Sequence, residues 1–437
     1  MLIRPFSTHP RLLRGPRGTL IPSLKKHDGE LASILKAEIA EKGPLTMASY
    51  MDMCLSYPQH GYYMRKDVFG REGDFITSPE ISQLFGEMVG VWVTQAWIAM
   101  NRPNKWSLIE IGPGRGTLTM DVVKTLRDLN AHYGLNTHLV DVSSELKKIQ
   151  QNNIKRMCEK WGLFLEYENS PTGEERLYKD YASFYWYREF GEVVARHLME
   201  FKGVPTVIIA HELFDALPIH QFEFDTKLGW CERLVNVNPL GKFQIELTRG
   251  PNENVQNVLK PERRFSPVAQ AALKQGDRIE VSPASMKLMN DICDFFMNNP
   301  GVSLIADYGD DRAFSNSLRG IKSHKKLSEE DWLQDPGEVD LSAYVNFSAL
   351  RGIAESANMK VVGSIPQGAF LECMGISARV EMLSAKADLS TAKKLEEEYE
   401  RLVSPEHMGE IYRMLYVGHP SLNEIYPFLA SMTFTKK

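Results

Sequence analysis

The pattern of apolar and polar positions divides the chain into a helical first part and a later part in which strands and helices alternate. Apolar residues at helical spacing predict an amphipathic helix over 30–42, which ends at the Gly43-Pro44 pair. A second helix is expected over 46–56, and an apolar stripe from 81 to 92 predicts a third. We therefore predict a helical N-terminal segment over 28–104.

From about residue 105 the pattern changes to short apolar runs that alternate with helical stretches. The runs that indicate buried strands are 107–111, 137–141, 204–210 and 302–306. This alternation is typical of a mostly parallel, doubly wound sheet, so we predict an α/β fold. Three shorter runs between 219 and 248 indicate an antiparallel meander, and the segment 388–437 indicates two charged helices separated near Pro405. The predicted layout is a core over 105–218, a β-meander insertion over 219–300, and the rest of the core sheet with C-terminal helices over 301–437.

The amino terminus differs in charge from the rest of the chain. The segment 1–27 carries six Lys or Arg side chains and no acid, with several Ser and Thr side chains among them. This composition is typical of a mitochondrial presequence, so we predict one over 1–27. A disordered basic tail of a cytosolic protein is the alternative.

The remaining chain is acidic, with 45 basic and 56 acidic residues. A net-acidic body argues against binding to nucleic acid backbones and suits a cationic partner. No apolar run approaches the length of about 18 uncharged residues, so no transmembrane helix is expected. The five cysteines have neither the spacing of a metal site nor that of a disulfide framework, so no metal is predicted.

A glycine-rich loop follows the first predicted core strand. Gly112, Gly114 and Gly116 occupy alternate positions in the run EIGPGRGT at 110–117. Glycines let the backbone turn sharply and let a ligand approach it closely, and open α/β sheets bind nucleotides at the carboxyl ends of their strands. A structural turn would explain one glycine but hardly three. We predict that this loop, with Pro113, binds a nucleotide-type cofactor.

Neighbouring residues indicate which cofactor this is. A dinucleotide fingerprint requires glycine at position 117, where this chain has Thr117. The pattern ExGxGxG is instead the form carried by S-adenosylmethionine-dependent methyltransferases. Glu110 is placed to fix the loop or to meet the ammonium group of that cofactor. Asp141, which ends the next strand, is placed to accept hydrogen bonds from both ribose hydroxyls, and Val142 directly follows it in the predicted cofactor site.

An acidic motif follows a later strand. The run 207–210 leads directly into His211, Glu212 and, three residues further on, Asp215. This strand end faces the same crevice as the glycine loop, and carboxylates are suited to hold and polarise the very basic guanidinium group of an arginine. The alternative is that the two acids stabilise a helix amino terminus. We name all three residues as catalytic candidates, although His211 could simply pack or orient Glu212.

The chain resembles the MidA family of mitochondrial protein arginine methyltransferases, which are complex I assembly factors. The resemblance covers most of the chain from about 43 to 380. It rests on the order and number of separate motifs: SYPQHGYY at 56–63, GDFITSPEISQLFGE at 73–87, EIGPGRGTL at 110–118, AHELFDALPIHQF at 210–222, EVSP at 280–283, ADYG at 306–309 and DPGEVDLSAYVNFSAL at 335–350. It implies a Rossmann-like class I methyltransferase sheet with a helical N-terminal segment and an antiparallel β insertion.

The resemblance also implies a function. Family members use S-adenosylmethionine to dimethylate, symmetrically, an arginine in the 49-kilodalton subunit of complex I in the mitochondrial matrix, a step needed for assembly. A non-enzymatic assembly chaperone, a methyltransferase for another nitrogen acceptor and a nicotinamide oxidoreductase remain alternatives. This chain departs from many relatives at His211, where Asn is common, and at Asp141, where Glu is frequent.

Some motif residues have two possible roles. Thr77 and Ser78 could belong to a flap over the cofactor, but Ser78 could equally cap a helix that begins at Pro79. The acids at 335, 338 and 340 could belong to an acceptor pocket or to a solvated turn. The tyrosines at 62 and 63 could line the crevice, although the core is favoured.

Overall fold

The computed structural model describes residues 29–65, 77–161, 166–169, 175–179, 182–429 and 431–432. The predicted presequence at 1–27 and residues 73–76 of the 73–87 motif lie outside these described residues.

The helices alternate with strands through most of the described chain. The helices are α1 Glu30–Lys42, α2 Met47–Ser56, α3 Tyr62–Arg65, α4 Ser78–Ile81, α5 Gln83–Ala99, α6 Thr117–Asp128, α7 Ser144–Lys160, α8 Phe190–Glu200, α9 Pro261–Arg264, α10 Pro267–Ala271, α11 Pro283–Asn298, α12 Glu329–Trp332, α13 Phe347–Ser356, α14 Gln367–Met374, α15 Ile376–Ser384, α16 Leu389–Val403 and α17 Met408–Ile411. The strands are β1 Leu45–Thr46, β2 Trp106–Ile111, β3 Leu135–Val140, β4 Glu166–Asn169, β5 Glu175–Lys179, β6 Ala182–Tyr187, β7 Thr206–His211, β8 His220–Asp225, β9 Gly229–Val237, β10 Phe243–Leu247, β11 Arg278–Val281, β12 Gly301–Asp310, β13 Arg319–Lys322, β14 Lys325–Leu327, β15 Asp340–Ser342, β16 Val345–Asn346, β17 Lys360–Pro366 and β18 Tyr412–Gly418. None of the described helices is both long and apolar enough to cross a bilayer.

The largest sheet has the strand order β17-β18-β12-β7-β2-β3-β6-β5-β4, with β16 paired to β12. Strands β12, β7, β2, β3 and β6 run parallel to one another. The chain proceeds from β2 outward to β3 and β6, and then returns to place β7 on the other side of β2. This reversal makes the carboxyl ends of β2 and β7 the switch point, where sheets of this kind bind ligands.

Apolar side chains cover both faces of this sheet. Leu108, Val207 and Leu304 belong to the cluster on one face, which includes residues of α5 and α6. Their neighbours Ile109, Ile208 and Ile305 belong to the cluster on the opposite face, with residues of α8, α11 and α13. Because successive side chains on a strand point to opposite faces, continuous apolar runs are expected for a sheet covered on both sides. The predicted α/β core is therefore confirmed.

The predicted meander is also confirmed. Strands β8, β9 and β10 are antiparallel and form a five-stranded sheet with β1 and β11. The N-terminal helices pack on this sheet. In particular, the ring of Tyr50 on α2 lies 6.0 Å from that of Phe243, and its hydroxyl donates to the carbonyl of Leu333 at 2.8 Å.

Two details of the predicted elements were wrong. The segment 388–437 contains not only helices but also β18, a buried strand that lies antiparallel between β12 and β17. This strand is an apolar run too short for periodicity to separate a strand from a buried helix. In addition, Thr77 rather than Ser78 occupies the N-cap position of α4, and Ser82 caps α5 by accepting from the Leu84 N–H at 3.3 Å.

Candidate functional site

A cavity of about 500 Å³ opens at the switch point of the large sheet. This volume lies in the range of small-molecule sites, roughly 300–1,000 Å³. Its lining divides into two parts. The glycine end contains Gly112, Gly114, Asp141 and Val142, and the carboxylate end contains Tyr63, Glu212, Asp215, Tyr308, Arg319 and Asp340.

The glycine end owes its shape to backbone conformations that favour glycine. The φ angles of Gly112, Gly114 and Gly116 are +75°, +53° and +79°. The Gly112 N–H donates to the carbonyl of Val140 at 2.9 Å, and the Gly116 N–H donates to the carbonyl of Pro113 at 2.7 Å. The loop thus turns tightly between β2 and α6 and exposes backbone to the cavity.

Glu110 stabilises this loop from behind. Its carboxylate accepts a hydrogen bond from the hydroxyl of Thr119 on α6, and the residue is buried rather than part of the cavity lining. Burial raises the pKa of Glu110 to about 7. Of the two roles expected for this acid, the contacts correspond to fixing the loop.

Asp141 is connected to the glycine loop through a residue that sequence reasoning missed. Its two carboxylate oxygens accept from the Ser143 N–H at 2.9 Å and from Nε2 of Gln150 at 3.0 Å. The same Gln150 nitrogen donates to the carbonyl of Gly114 at 2.7 Å. Burial raises the pKa of Asp141 to about 7. Val142 is 44% exposed and contributes apolar surface to the cavity.

The segment 77–80 contacts both ends of the site without lining the cavity. The Ser78 N–H donates to Oε1 of Glu212 at 3.1 Å, and Thr77 directly precedes it. Glu80 accepts from the hydroxyl of Thr117 at 2.5 Å and lies 3.5 Å from Nη1 of Arg115. Because Thr117 and Arg115 belong to the glycine loop, this segment connects that loop to Glu212.

The loop after β7 is held by a buried acid on the neighbouring strand. Oδ2 of Asp307 accepts from the backbone N–H groups of Leu213, Phe214 and Asp215 at 3.1, 2.8 and 3.2 Å. Asp307 therefore satisfies the donors at the start of the short 3₁₀ turn over 214–216. Glu212 and Asp215 both line the cavity, and the backbone N–H groups of Asp215 and Ala216 in this turn also stabilise the ionised form of Asp215.

Glu212 has a buried side chain, 6% exposed, on a left-handed backbone with φ of +48°. Its Oε1 accepts from the Ser78 N–H and from the hydroxyl of Tyr412, both at 3.1 Å. Burial raises the pKa of Glu212 to about 8, and the neighbouring Asp215 also acts to raise it. Burial also raises the pKa of Asp215, to about 6, although Arg319 opposes this effect. Near neutral pH, Glu212 is thus mostly protonated and Asp215 mostly ionised.

His211 lies behind this pair and does not line the cavity. Its ring centroid is 4.9 Å from that of Phe85, and its Nε2 is 3.5 Å from Oε1 of Glu212. Burial lowers the pKa of His211 to about 3, so the imidazole is neutral. The Nε2 atom makes no hydrogen bond to any described residue, so these contacts correspond to packing behind Glu212.

The rest of the carboxylate end comes from distant parts of the chain. The hydroxyl of Tyr63 donates to Oδ1 of Asp340 at 2.8 Å, and the guanidinium carbon of Arg319 lies 4.8 Å from the ring centroid of Tyr308. Sequence reasoning left Tyr63 and Asp340 undecided and missed Arg319. The other undecided residues lie elsewhere, since Tyr62 is in the core, Asp335 pairs with Lys322 at 2.9 Å, and Glu338 is exposed. Within the described residues, no cluster of His, Cys, Asp and Glu is suited to hold a metal ion.

The fold and the site together define a class of protein. A parallel sheet with an antiparallel strand near one edge, a three-glycine loop after β2 and an acid after β3 form the architecture of an S-adenosylmethionine-dependent methyltransferase. In agreement, residues 88–365 match the model of a family of S-adenosyl-L-methionine-dependent methyltransferases. The chain belongs to this family.

Named relatives are similar over most of their length. The chain is 35% identical to the protein arginine methyltransferase NDUFAF7 homolog, mitochondrial, of Drosophila melanogaster over 396 residues, or 89% of this chain and 84% of that protein. It is 34% identical to the Homo sapiens protein arginine methyltransferase NDUFAF7, mitochondrial, over 86% of this chain and 80% of that protein. The relatives' names support a mitochondrial location, in line with the predicted presequence.

Solved structures share the fold. A crystal structure from Burkholderia thailandensis, bound to S-adenosyl-homocysteine, has a TM-score of 0.70 and 23% identity and covers 89% of this chain and 92% of its own. A native structure from the same organism has a TM-score of 0.69 and 22% identity, and the match covers 92% of this chain and 94% of that one. The predicted fold class, including the N-terminal helices and the antiparallel insertion, is confirmed.

Proposed function

We propose that this chain is a protein arginine methyltransferase of the mitochondrial matrix that acts on the 49-kilodalton subunit of complex I, called the acceptor subunit below. The proposed product is a symmetrically dimethylated arginine, and the modification serves complex I assembly. The observation that carries this proposal is the buried carboxyl pair of Glu212 and Asp215, which opens into the same cavity as the glycine loop. Two acids there are suited to a guanidinium group brought next to a methyl donor.

The glycine end fits S-adenosylmethionine. When bound, this cofactor supplies an electrophilic methyl group on a sulfonium. Gly112 and Gly114 line this end of the cavity, where their backbone would contact the cofactor, and Pro113 and Gly116 close the turn between them and α6. The positive φ values of the three glycines are conformations that residues with a side chain rarely adopt. Asp141 would hold the ribose hydroxyls, since it borders the cavity and its geometry is fixed by Gln150.

Further residues support the cofactor site. Val142 offers an apolar surface to the bound cofactor. Glu110 keeps the loop in shape. The segment that begins with Thr77 and Ser78 connects the loop to Glu212, because the Ser78 N–H donates to Glu212 and Glu80 accepts from Thr117.

The carboxylate end would bind the acceptor arginine. A guanidinium next to Glu212 favours the ionised carboxyl group, so acceptor binding should release the proton that this residue holds near neutral pH. Glu212 and Asp215 then fix the orientation of the acceptor nitrogen, and the neutral His211 packs behind Glu212. Most of the rate enhancement would come from alignment of acceptor and donor.

The test is to incubate the purified protein with methyl-labelled S-adenosylmethionine and the unassembled acceptor subunit, and to locate the label by mass spectrometry. We expect the label on an arginine of the subunit. Label on another nitrogen would indicate a different acceptor. No label, together with normal complex I assembly in cells that carry Glu212→Gln, would indicate a non-enzymatic assembly factor instead.

A further inference from the structure

The carboxylate end contains a guanidinium of its own. The guanidinium carbon of Arg319 lies 4.8 Å from the ring centroid of Tyr308 and 4.6 Å from that of Tyr344. A guanidinium within about 6 Å of an aromatic ring is attracted to the face of that ring. Two such rings hold Arg319 at a defined place in the cavity lining.

The small sheet β14-β13-β15 fixes the backbone of Arg319. On this sheet Arg319 pairs with Ser342, and Ile321 pairs with Asp340. All four residues line the cavity. Because residues two apart on a strand share a face, one face of this sheet forms a wall of the carboxylate end.

A buried acid outside the cavity anchors the segment that leads into β13. The carboxylate of Glu280 accepts from the backbone N–H groups of Ser317 and Leu318, at 2.9 to 3.2 Å, and from the hydroxyl of Ser317 at 2.5 Å. The same hydroxyl oxygen accepts from the N–H of Tyr344 at 2.9 Å. Glu280 thus holds Arg319 and one of its two aromatic partners in register.

The tyrosines also connect Arg319 to Glu212. The ring centroid of Tyr308 lies 4.0 Å from that of Tyr412, whose hydroxyl donates to Glu212. Asp215 lies beside the same small sheet, since its carbonyl accepts from the Ala343 N–H at 2.9 Å, and Ala343 directly follows Ser342, the partner of Arg319. From there the positive charge of Arg319 lowers the pKa of Asp215 against the effect of burial. The titratable or charged groups around Asp215 are Glu212 on its own loop, Asp307 and Tyr308 on β12, Arg319 on β13, Asp340 on β15, Tyr63 on α3 and Tyr412 on β18.

We propose that Arg319 is a positioning residue of the acceptor site: it is a fixed cation that keeps Asp215 charged and leaves Glu212 as the carboxyl group that receives the acceptor. This inference rests on the proposed function for its catalytic consequence. The charge coupling between Arg319 and Asp215 is independent of the proposed function, because it is a property of the folded protein.

The coupling can be tested without turnover. Thermal midpoints are measured at pH 5 and pH 8 for the wild type, Arg319→Gln, Asp215→Asn and the double variant. At pH 8 Arg319→Gln should lower the midpoint by about 2 °C in the wild-type background and by less in the Asp215→Asn background, since the charge partner is then gone. At pH 5, where Asp215 is protonated, this difference between backgrounds should be lost. Equal effects in both backgrounds at pH 8 would overturn the inference.

The catalytic consequence is tested by the pH dependence of kcat/KM for the acceptor subunit at saturating S-adenosylmethionine. In the wild type kcat/KM should fall below pH 8 as Glu212 is protonated, and more steeply below pH 6 as Asp215 is protonated too. Arg319→Gln should move the start of this steeper fall to higher pH by about one unit, because Asp215 loses its cation. Arg319→Lys should restore most of this shift. Arg312→Gln is the matched control. The guanidinium carbon of Arg312 lies 4.7 Å from the ring centroid of Phe314, but Arg312 does not line the cavity. A uniform loss of rate with an unmoved pH profile would overturn the positioning role.

The two tests separate two kinds of failure. If the wild type methylates no arginine, the proposed function fails, and the thermal comparison still decides the coupling. If methylation occurs but the thermal comparison shows no coupling, Arg319 is not a positioning residue and the proposed function stands.

Discussion

The two ends of the cavity are built in different ways. At the glycine end, the loop 110–117 comes from one continuous stretch that turns through positive φ angles, with Asp141 added from the next strand. The carboxylate end contains side chains from α3, β12, β13, β15 and the loop after β7, which lie far apart along the chain. Its buried acids depend on one another and on Arg319 for their charge states.

This difference indicates how each end should respond to change. A site made of backbone should fail when its backbone conformation is altered, with binding lost first. A site made of mutually dependent buried charges should fail when one charge is removed, and its behaviour should depend on pH. Substitutions at the two ends should therefore be separable by measuring cofactor affinity and methyl transfer independently.

The largest effect is expected from Glu212→Gln, which keeps the shape of the side chain but removes the charge offered to the acceptor. Loss of one partner from a buried ion pair costs about 2–5 kcal/mol, so methyl transfer should fall by roughly 1,000-fold. The affinity for S-adenosylmethionine, measured by calorimetry, should stay within about twofold, with the exposed Glu159→Gln as the control. An equal loss of affinity for S-adenosylmethionine would contradict the prediction that the two ends of the cavity act separately.

Gly112→Val should have the next largest effect, on binding. A Cβ at this position would lie 2.9 Å from Cδ1 of Leu213, and the φ of +75° is unfavourable for valine. The strain should reduce the affinity for S-adenosylmethionine by roughly 100-fold.

Gly203→Val is the matched control for this prediction, because Gly203 has φ of +74° but nothing within 4 Å of an added Cβ. It should show comparable local strain and normal affinity. Normal affinity in a folded Gly112→Val protein would contradict the assignment of the glycine end.

Asp141→Asn should have a moderate effect. The amide retains an acceptor for the Ser143 N–H but loses the charge, and hydrogen bonds to a charged group contribute about 1.5–3 kcal/mol. Calorimetry should show an affinity for S-adenosylmethionine weaker by about 10- to 100-fold, with the rate at saturating cofactor nearly preserved. A lower rate of methyl transfer at saturating S-adenosylmethionine, with an unchanged affinity for this cofactor, would contradict the assignment of Asp141 to the cofactor site.

The Glu212→Gln variant should also change the pH dependence of stability. The pKa of Glu212 is about 8 in the folded protein, above its ordinary value of 4.5, so the stability it contributes at low pH is lost as pH rises through this window. The loss amounts to at most about 1.4 kcal/mol per pH unit. The Glu212→Gln variant has no carboxyl group at this position and does not lose this stability. Its thermal midpoint should therefore rise relative to that of the wild type as the pH is raised from 5 to 8. Parallel curves for the two proteins would contradict the buried, protonated state of Glu212.

The contrast between the ends also explains what the sequence could predict. The glycine loop and Asp141 were predictable because their role follows from glycine spacing and from the position of each residue at a strand end. Gln150 was missed, since a polar residue on a charged helix carries no local sign that it will bind Asp141. Arg319 was missed for a similar reason, because it lies in a polar stretch typical of a solvated surface.

Strand β18 was missed for a related reason. The run that forms β18 is apolar but short, and only its pairing with β12 and β17 makes it a strand. Because Tyr412 lies on β18, its contact with Glu212 could not be anticipated either. Sequence reasoning thus succeeded where chemistry is local and failed where tertiary packing brings separate elements together.

The most direct test of the central claim is the proton balance when the acceptor binds. The protein is saturated with S-adenosyl-homocysteine, so that no transfer occurs, and is titrated at pH 7 with the acceptor subunit in two buffers of different ionisation enthalpy. We predict a net release of protons in the wild type, because a guanidinium at the carboxylate end ionises Glu212, and its loss in Glu212→Gln. Binding with no proton release, or with the same release in both proteins, would contradict the claim that Glu212 receives the acceptor arginine.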